Sequence, residues 1–272
     1  MAPSDIDHDS REGYGANKVA AEHVLLDSGM AVSVLRPSRI HGAGGTRPRE
    51  WVFVRRVLDG RRHLLLARGG RGTNHPTAAV NLAALIEFCA ARPATRILNS
   101  ADPDAPDGLT ISRVVAAHLG HRWDEVLLDA TAPGDLGDHP WNTLPPFVLD
   151  TSAAERLGFV PAGSYAETVR AEVDWLAEAA RPGGPAAALP PPDDPYFRSF
   201  FDYAREDAWL DGHSPSEESG GTGRFSRSRS VSRYSLAAPF KWSKKQVAAG
   251  SGGQDDHADA RPGPAGSRTE RG

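Results

Sequence analysis

Residues 14–180 alternate between helical periodicity and brief apolar runs rich in β-branched residues, a rhythm that few architectures accommodate. A helix is predicted over 14–27, with Ala20, Ala21, Val24 and Leu25 on one stripe and Ser28-Gly29 closing it. Residues 30–35 form a short apolar run ended by Arg36-Pro37, the pattern of a buried strand in a parallel sheet. After a glycine-rich loop at 42–45, helices are predicted over 50–58, 78–91 and 110–119, with strands over 63–67, 96–99 and 126–128. Helices over 151–157 and 165–180 complete the series. The expectation is an α/β fold with a parallel sheet. The alternation opens on a helix and offers only three or four strands, few for a self-sufficient doubly wound domain.

Hydrophobic residues make up 39% of the 272, against roughly 45–50% in ordinary globular domains. The deficit lies in 212–272, where Gly, Ser, Arg and Pro dominate and disorder is expected. Three regions follow: a body over 1–181, a Pro/Gly/Ala linker with a docked aromatic helix over 182–211, and a disordered tail over 212–272. A net charge of −4 gives no general case for nucleic acid or an anionic membrane. The lone Cys89 sits in an apolar run and reads as a buried, reduced thiol. No apolar stretch approaches 18 residues, and the start is acidic (Asp5, Asp7, Asp9), so a membrane span or secretory signal is not expected. A cytoplasmic protein fits these features.

Basic positions are filled almost wholly by arginine: 27 against four lysines, of which Lys18 alone precedes residue 241. Lys18 lies four residues after Tyr14 on the first predicted helix, so ammonium and phenol share a face. A compact cation beside a phenol favours its phenolate, which is what allows a tyrosine to work as an acid/base. The same spacing also suits a surface tyrosine on an amphipathic helix.

Four segments in order resemble the extended short-chain dehydrogenase/reductases of the NAD-dependent epimerase/dehydratase type, and specifically their C-terminal half. Tyr14-Gly15-Ala16-Asn17-Lys18 with Ala21-Glu22 is similar to the catalytic Tyr-x-x-x-Lys helix. Leu35-Arg36-Pro37 through His41-Gly42 is similar to a strand end and the loop after it. His75 to Ala91, containing Val80-Asn81-Leu82-Ala83, resembles the helix usually opened by an aspartate, and Asp150 with Leu157-Gly158-Phe159 resembles a late Leu-Gly-Tyr element. The likeness covers about residues 10–180. It implies a partial Rossmann-like sheet with C-terminal substrate-side helices. It further implies Tyr14 and Lys18 as the catalytic pair, and NAD or NADP held near Lys18, Pro37 and Ser38. A sugar nucleotide or small hydroxy/carbonyl substrate would meet Arg39, His41 and Asn81.

The family's glycine-rich fingerprint, which holds a pyrophosphate on backbone N–H groups, would precede residue 14, and nothing there resembles it. The family's catalytic Ser or Thr would fall before Met1, and Ser4 and Ser10 stand too close to Tyr14 to replace it. Arg39 and Asn81 stand where the family commonly has Asn and Asp. The expectation is therefore a truncated enzyme, weakly active or inactive alone, whose unpaired apolar sheet edge favours association with a partner or a second copy. Gly69-x-x-Gly72 follows a strand and precedes a helix, but Pro76 intervenes, and a turn is the reading adopted. Gly42-Ala43-Gly44-Gly45 reads as a flexible substrate loop.

The ten histidines show no metal-ligand spacing, since Gly120 breaks the helix between His118 and His121, and no metal site is expected. Residues 102–107, Asp-Pro-Asp-Ala-Pro-Asp, read as a solvated turn. Between Arg224 and Lys245 seven basic residues occur without an acid. A second reading is thus a non-catalytic remnant whose Arg/Ser tail contacts nucleic acid or a partner, although nucleic-acid contact is not the favoured one.

Overall fold

Each apolar run becomes a short strand, shifted or resized by a few residues from its expected bounds, and each finds one parallel partner. The computed structural model describes residues 11–213. In chain order the elements are α1 (Arg11–Leu26), β1 (Ser33–Pro37), β2 (Arg39–His41), α2 (Trp51–Leu58), β3 (His63–Leu66), β4 (Pro76–Ala78), α3 (Ala79–Ala90) and β5 (Arg96–Ser100). Then follow α4 (Gly108–His118), β6 (Asp124–Leu127), α5 (Ser152–Arg156), α6 (Tyr165–Thr168), α7 (Arg170–Ala179) and α8 (Tyr203–His213). Among the described residues the strands form three parallel pairs: β1 with β5, β2 with β4, and β3 with β6. The fold is α/β, and all its strand pairing is parallel. The tail and its basic stretch fall beyond residue 213, outside the described residues.

The first two pairs run into one another. Ser38 N–H donates to the Ser100 carbonyl at 3.1 Å, Arg39 N–H to His75 at 3.2 Å, and Asp102 N–H to Pro76 at 2.9 Å. β4 was not expected, because Pro76 reads as a break. It is tolerated as the first residue of a three-residue strand, where a missing N–H removes little from the ladder. β1 is also less buried than its composition suggests, with Ser33 to Leu35 half-covered and Arg36 and Pro37 exposed.

The main core gathers around α2. Trp51, Val52, Phe53 and Val54 are all buried there, apolar around the whole first turn, because α4 and α7 both pack on this helix. Phe53 stacks on Trp141 with ring centroids 5.6 Å apart, and Ile111, Val115, Val173 and Leu176 fill the space between the helices. Phe197 and Phe200 bring the segment before α8 into the same cluster. On α3, Asn81, Leu85 and Cys89 recur every four residues and are the buried face. The α1 stripe behaves differently: Ala20, Ala21, Val24 and Leu25 are exposed, so the described residues do not use it as a core face.

α8 is fastened by charge. Arg56, buried on α2, donates to both carboxylate oxygens of Glu206 at 2.9 and 2.6 Å and to the Phe200 carbonyl at 2.6 Å. Its guanidinium lies 5.3 Å from the centroid of the Tyr203 ring. Among the described residues no helix is long and apolar enough to cross a membrane.

His139 supplies a pH dependence. It is 3% exposed, neither ring nitrogen has a hydrogen-bond partner among the described residues, and its ring sits where a side chain on Gly108 would have to go. Burial lowers its pKa to about 4. The unfolded chain takes this proton below about 6.5, whereas the folded chain keeps the ring neutral down to about 4. Between those values the unfolded state binds more protons, so the stabilisation is complete above pH 6.5 and is lost as the pH falls towards 4. The loss amounts to about 3 kcal/mol. Urea midpoints at pH 7 and pH 4.5 should therefore differ less for His139→Leu than for the parent chain. Equal differences would show that this ring does not control acid stability.

Candidate functional site

Four of the sequence-predicted residues, Pro37, Ser38, Arg39 and His41, lie along one path through β1 and β2, and a buried carboxylate organises the last of them. Asp102 follows β5 and is fully buried. Its Oδ2 lies 2.8 Å from His41 Nε2 at the end of β2. Its Oδ1 accepts from the Ala78 N–H at 2.6 Å and from Asn81 Nδ2 at 2.8 Å, the latter from the first turn of α3. The solvated-turn expectation for 102–107 therefore fails at its first residue. Burial alone would raise the Asp102 pKa, but the bonds from His41, Ala78 and Asn81 outweigh it and hold the carboxyl below the usual range. Asp102 is thus an ionised acceptor, and His41 Nε2 must carry the hydrogen between them.

Asn81 spends its remaining capacity on the chain before α6, donating to the Gly163 carbonyl and accepting from Ala162 and Gly163 N–H groups. His41 and Asn81, both expected at the substrate, are thus brought together, but with side chains turned to protein groups.

Beyond His41 the network continues into acids that local sequence gives no signal for. Glu172 on α7 accepts from the Gly42 N–H at 2.6 Å, and its Oε2 stands 3.8 Å from His41 Nδ1. Glu50 precedes α2 at its N-cap position, yet its side chain makes no cap bond. Its Oε1 instead accepts from the Tyr165 hydroxyl at 3.1 Å. The His41 and Tyr165 rings lie 5.0 Å apart. Burial, then the negative charge of Glu50, pushes the Glu172 pKa far above the carboxylate range, and burial likewise raises that of the Tyr165 phenol. Among the described residues, His41, Glu50 and Glu172 are one group of possible metal-ligating side chains, a convergence the sequence reading excluded. The residues are separated by 9 and 122 positions, beyond the reach of spacing arguments.

Tyr14 and Lys18 occupy the exposed side of α1. Tyr14 is 65% exposed, and Lys18 Nζ lies 5.4 Å from the centroid of its ring. Glu22, a further four residues on, is clamped to Arg36 of β1 through two bonds of 3.0 and 2.5 Å. Tyr14, Lys18 and Glu22 share a helical stripe. The Glu22–Arg36 pair ties α1 to β1, whose carboxyl end carries the exposed Pro37, with Ser38 after it. The Ser38 hydroxyl oxygen is out of solvent and has no hydrogen-bond partner among the described residues. Arg39 is half-buried on β2.

The glycine turns do not form an open phosphate cradle. A Cβ on Gly72 would overlap backbone atoms of Trp141, Asn142 and Thr143, and one on Gly70 would crowd Leu109. Those glycines permit close protein packing, as the turn reading expects. The Gly42 N–H is already bonded to Glu172. Among the described residues, one concavity lies between Arg56, Leu136 and Ser199 and another at the end of β5, lined by Asn99, Pro103 and Phe159. Tyr14 and Lys18 line neither.

No family model matches the sequence, and no curated protein does. Solved structures do superpose in part. UDP-N-acetylglucosamine 4-epimerase from Methanobrevibacter ruminantium M1, in complex with UDP-N-acetylmuramic acid, is 15% identical over 60% of this chain and 52% of its own, with a TM-score of 0.48. UDP-glucose 4-epimerase from Thermus thermophilus, in complex with NAD, is 20% identical over 62% and 55%, with a TM-score of 0.47. dTDP-glucose 4,6-dehydratase from Bacillus anthracis str. Ames, in complex with NAD, is 14% identical over 61% and 52%, with a TM-score of 0.46. The chain spans about half the length of these enzymes.

Proposed function

We propose that the chain belongs to an NAD(P)-dependent oxidoreductase or epimerase acting on a sugar nucleotide or another small hydroxy/carbonyl compound. The observation that supports this reading is the Tyr14/Lys18 pair on one face of α1, a helix tied to β1 by Glu22–Arg36. Open α/β folds place their ligands at the carboxyl ends of parallel strands. The fit to the cofactor is to its nicotinamide-ribose end. Lys18 offers an exposed cation and Pro37 an exposed edge, and the Ser38 hydroxyl, out of solvent, has no partner among the described residues. Gly42, Gly70 and Gly72 are engaged in protein contacts, and these turns do not extend that fit to the diphosphate.

NAD(P), when bound, supplies the acceptor for a hydride leaving the substrate carbon. Tyr14 would take the proton of the adjacent hydroxyl as the carbon–oxygen double bond forms, and return it when the reaction reverses. Lys18 would stabilise the negative charge on the tyrosine oxygen during that transfer.

The test is a fluorescence titration of the full chain with NADH and NADPH, followed by turnover assays on sugar nucleotides. Saturable binding is expected, and whatever weak turnover the chain shows alone should fall about 100-fold or more in Tyr14→Phe while cofactor binding is retained. Lack of binding up to millimolar cofactor, or full turnover by Tyr14→Phe, would refute the assignment.

A further inference from the structure

The cluster of His41, Glu50 and Glu172 is separate from the Tyr14 stripe and has an unresolved valence. Asp102 takes the Nε2 hydrogen of His41, which leaves Nδ1 turned towards Glu172. Neither His41 Nδ1 nor Glu172 Oε1 has a hydrogen-bond partner among the described residues, although the two side chains are only 3% and 1% exposed. Buried polar atoms in native proteins are nearly always satisfied. Here two carboxylates and an imidazole lone pair, from three different elements, face one another within 4.8 Å. That arrangement is repulsive unless a proton or a cation lies between the two carboxylates.

We propose that His41 Nδ1, Glu50 and Glu172 bind one divalent cation of the zinc class, with Asp102 as the outer ligand that fixes the imidazole. One imidazole nitrogen with carboxylate oxygens suits such an ion. A carboxylate on the far nitrogen of a metal-bound histidine is the usual means of setting its tautomer and orientation. The Tyr165 hydroxyl holds Glu50 in the same way. Charge also balances: Asp102, Glu50 and Glu172 ionised carry three negative charges, which a divalent ion and Arg49, whose field reaches Glu172, together neutralise. Ligand atoms about 2.1 Å from an ion stand about 3.4 Å apart in a tetrahedron. The 3.8 Å His41–Glu172 pair is close to that spacing, and the group as a whole needs to contract by about an ångström. The ion would tie the end of β2, the start of α2 and the middle of α7 together.

The experiment uses the full chain, stripped with chelator and titrated with Zn2+ alone. Three readouts are followed: calorimetric stoichiometry, the thermal unfolding midpoint, and the ring-nitrogen NMR signals of histidine. One equivalent is expected to bind, with a midpoint that rises with free Zn2+. One histidine should show metal at Nδ1 and hydrogen at Nε2, a signal absent from His41→Gln. Glu172→Gln should weaken binding about 100-fold or more, Asp102→Asn about 10- to 100-fold, and His118→Gln should change nothing. A midpoint indifferent to Zn2+, or affinity unchanged in Glu172→Gln, would overturn the site. If Glu172→Gln does not fold, the parent's histidine signals decide: no Nδ1-bound ring at saturating Zn2+ means that protons alone fill the cluster.

Discussion

Asp102→Ala is expected to destabilise the chain by about 3–5 kcal/mol, read as a lower urea midpoint at unchanged slope. The substitution removes the acceptor for three buried donors at once: His41 Nε2, the Ala78 N–H and Asn81 Nδ2. Each donor left unsatisfied costs about 1–3 kcal/mol, and partial relaxation keeps the total below the sum. Since domains of this size hold about 5–15 kcal/mol in all, the variant should sit near its folding threshold. Asp102→Asn keeps the volume and one acceptor oxygen, and should lose about half as much. A loss under about 1 kcal/mol for the alanine variant would mean that the three donors find other partners and that Asp102 does not organise this region.

The second large effect belongs to the buried pair on α8. Glu206→Ala leaves the Arg56 guanidinium buried among Phe200 and Tyr203 with only a backbone carbonyl to receive it, a loss of about 3–5 kcal/mol. The cost comes from the stranded charge, not from the net worth of the pair. The double variant Arg56→Met with Glu206→Leu should therefore recover most of it. Urea midpoints of the two singles and the double decide the matter. Limited proteolysis should show cleavage within 182–195 rising in Glu206→Ala and returning towards the parent level in the double. Additive losses in the double would contradict the stranded-charge account.

The element order was readable because periodicity is local: α2, α3, α4 and β5 lie where apolar spacing puts them, to within a residue or two. β4 was hidden by Pro76, which reads as a break unless one knows that β2 runs alongside it for only three residues. The site was less readable for a different reason. Asp102 sits among Pro, Asp and Ala, a composition that resembles a wet turn, whereas its N–H bond to Pro76 and its carboxylate bonds to His41, Ala78 and Asn81 keep the chain inside at that point. Glu50, Tyr165 and Glu172 meet through tertiary packing of α2, α6 and α7, and a glutamate in an amphipathic helix ordinarily reads as surface. Tyr14 and Lys18 could be picked out early because their relation is a single helical turn.

The pairing of the strands sets when the fold can close. Ser33 of β1 is matched with Arg96, 63 positions later, and His63 of β3 with Asp124, 61 positions later. During synthesis, β1 therefore emerges long before β5 exists to receive it, and β3 long before β6. The chain must carry these apolar strands unpaired until the roughly 60 residues that separate each from its partner have been made. Folding dominated by such distant contacts is intrinsically slow, which makes the nascent chain the stage most exposed to misassociation.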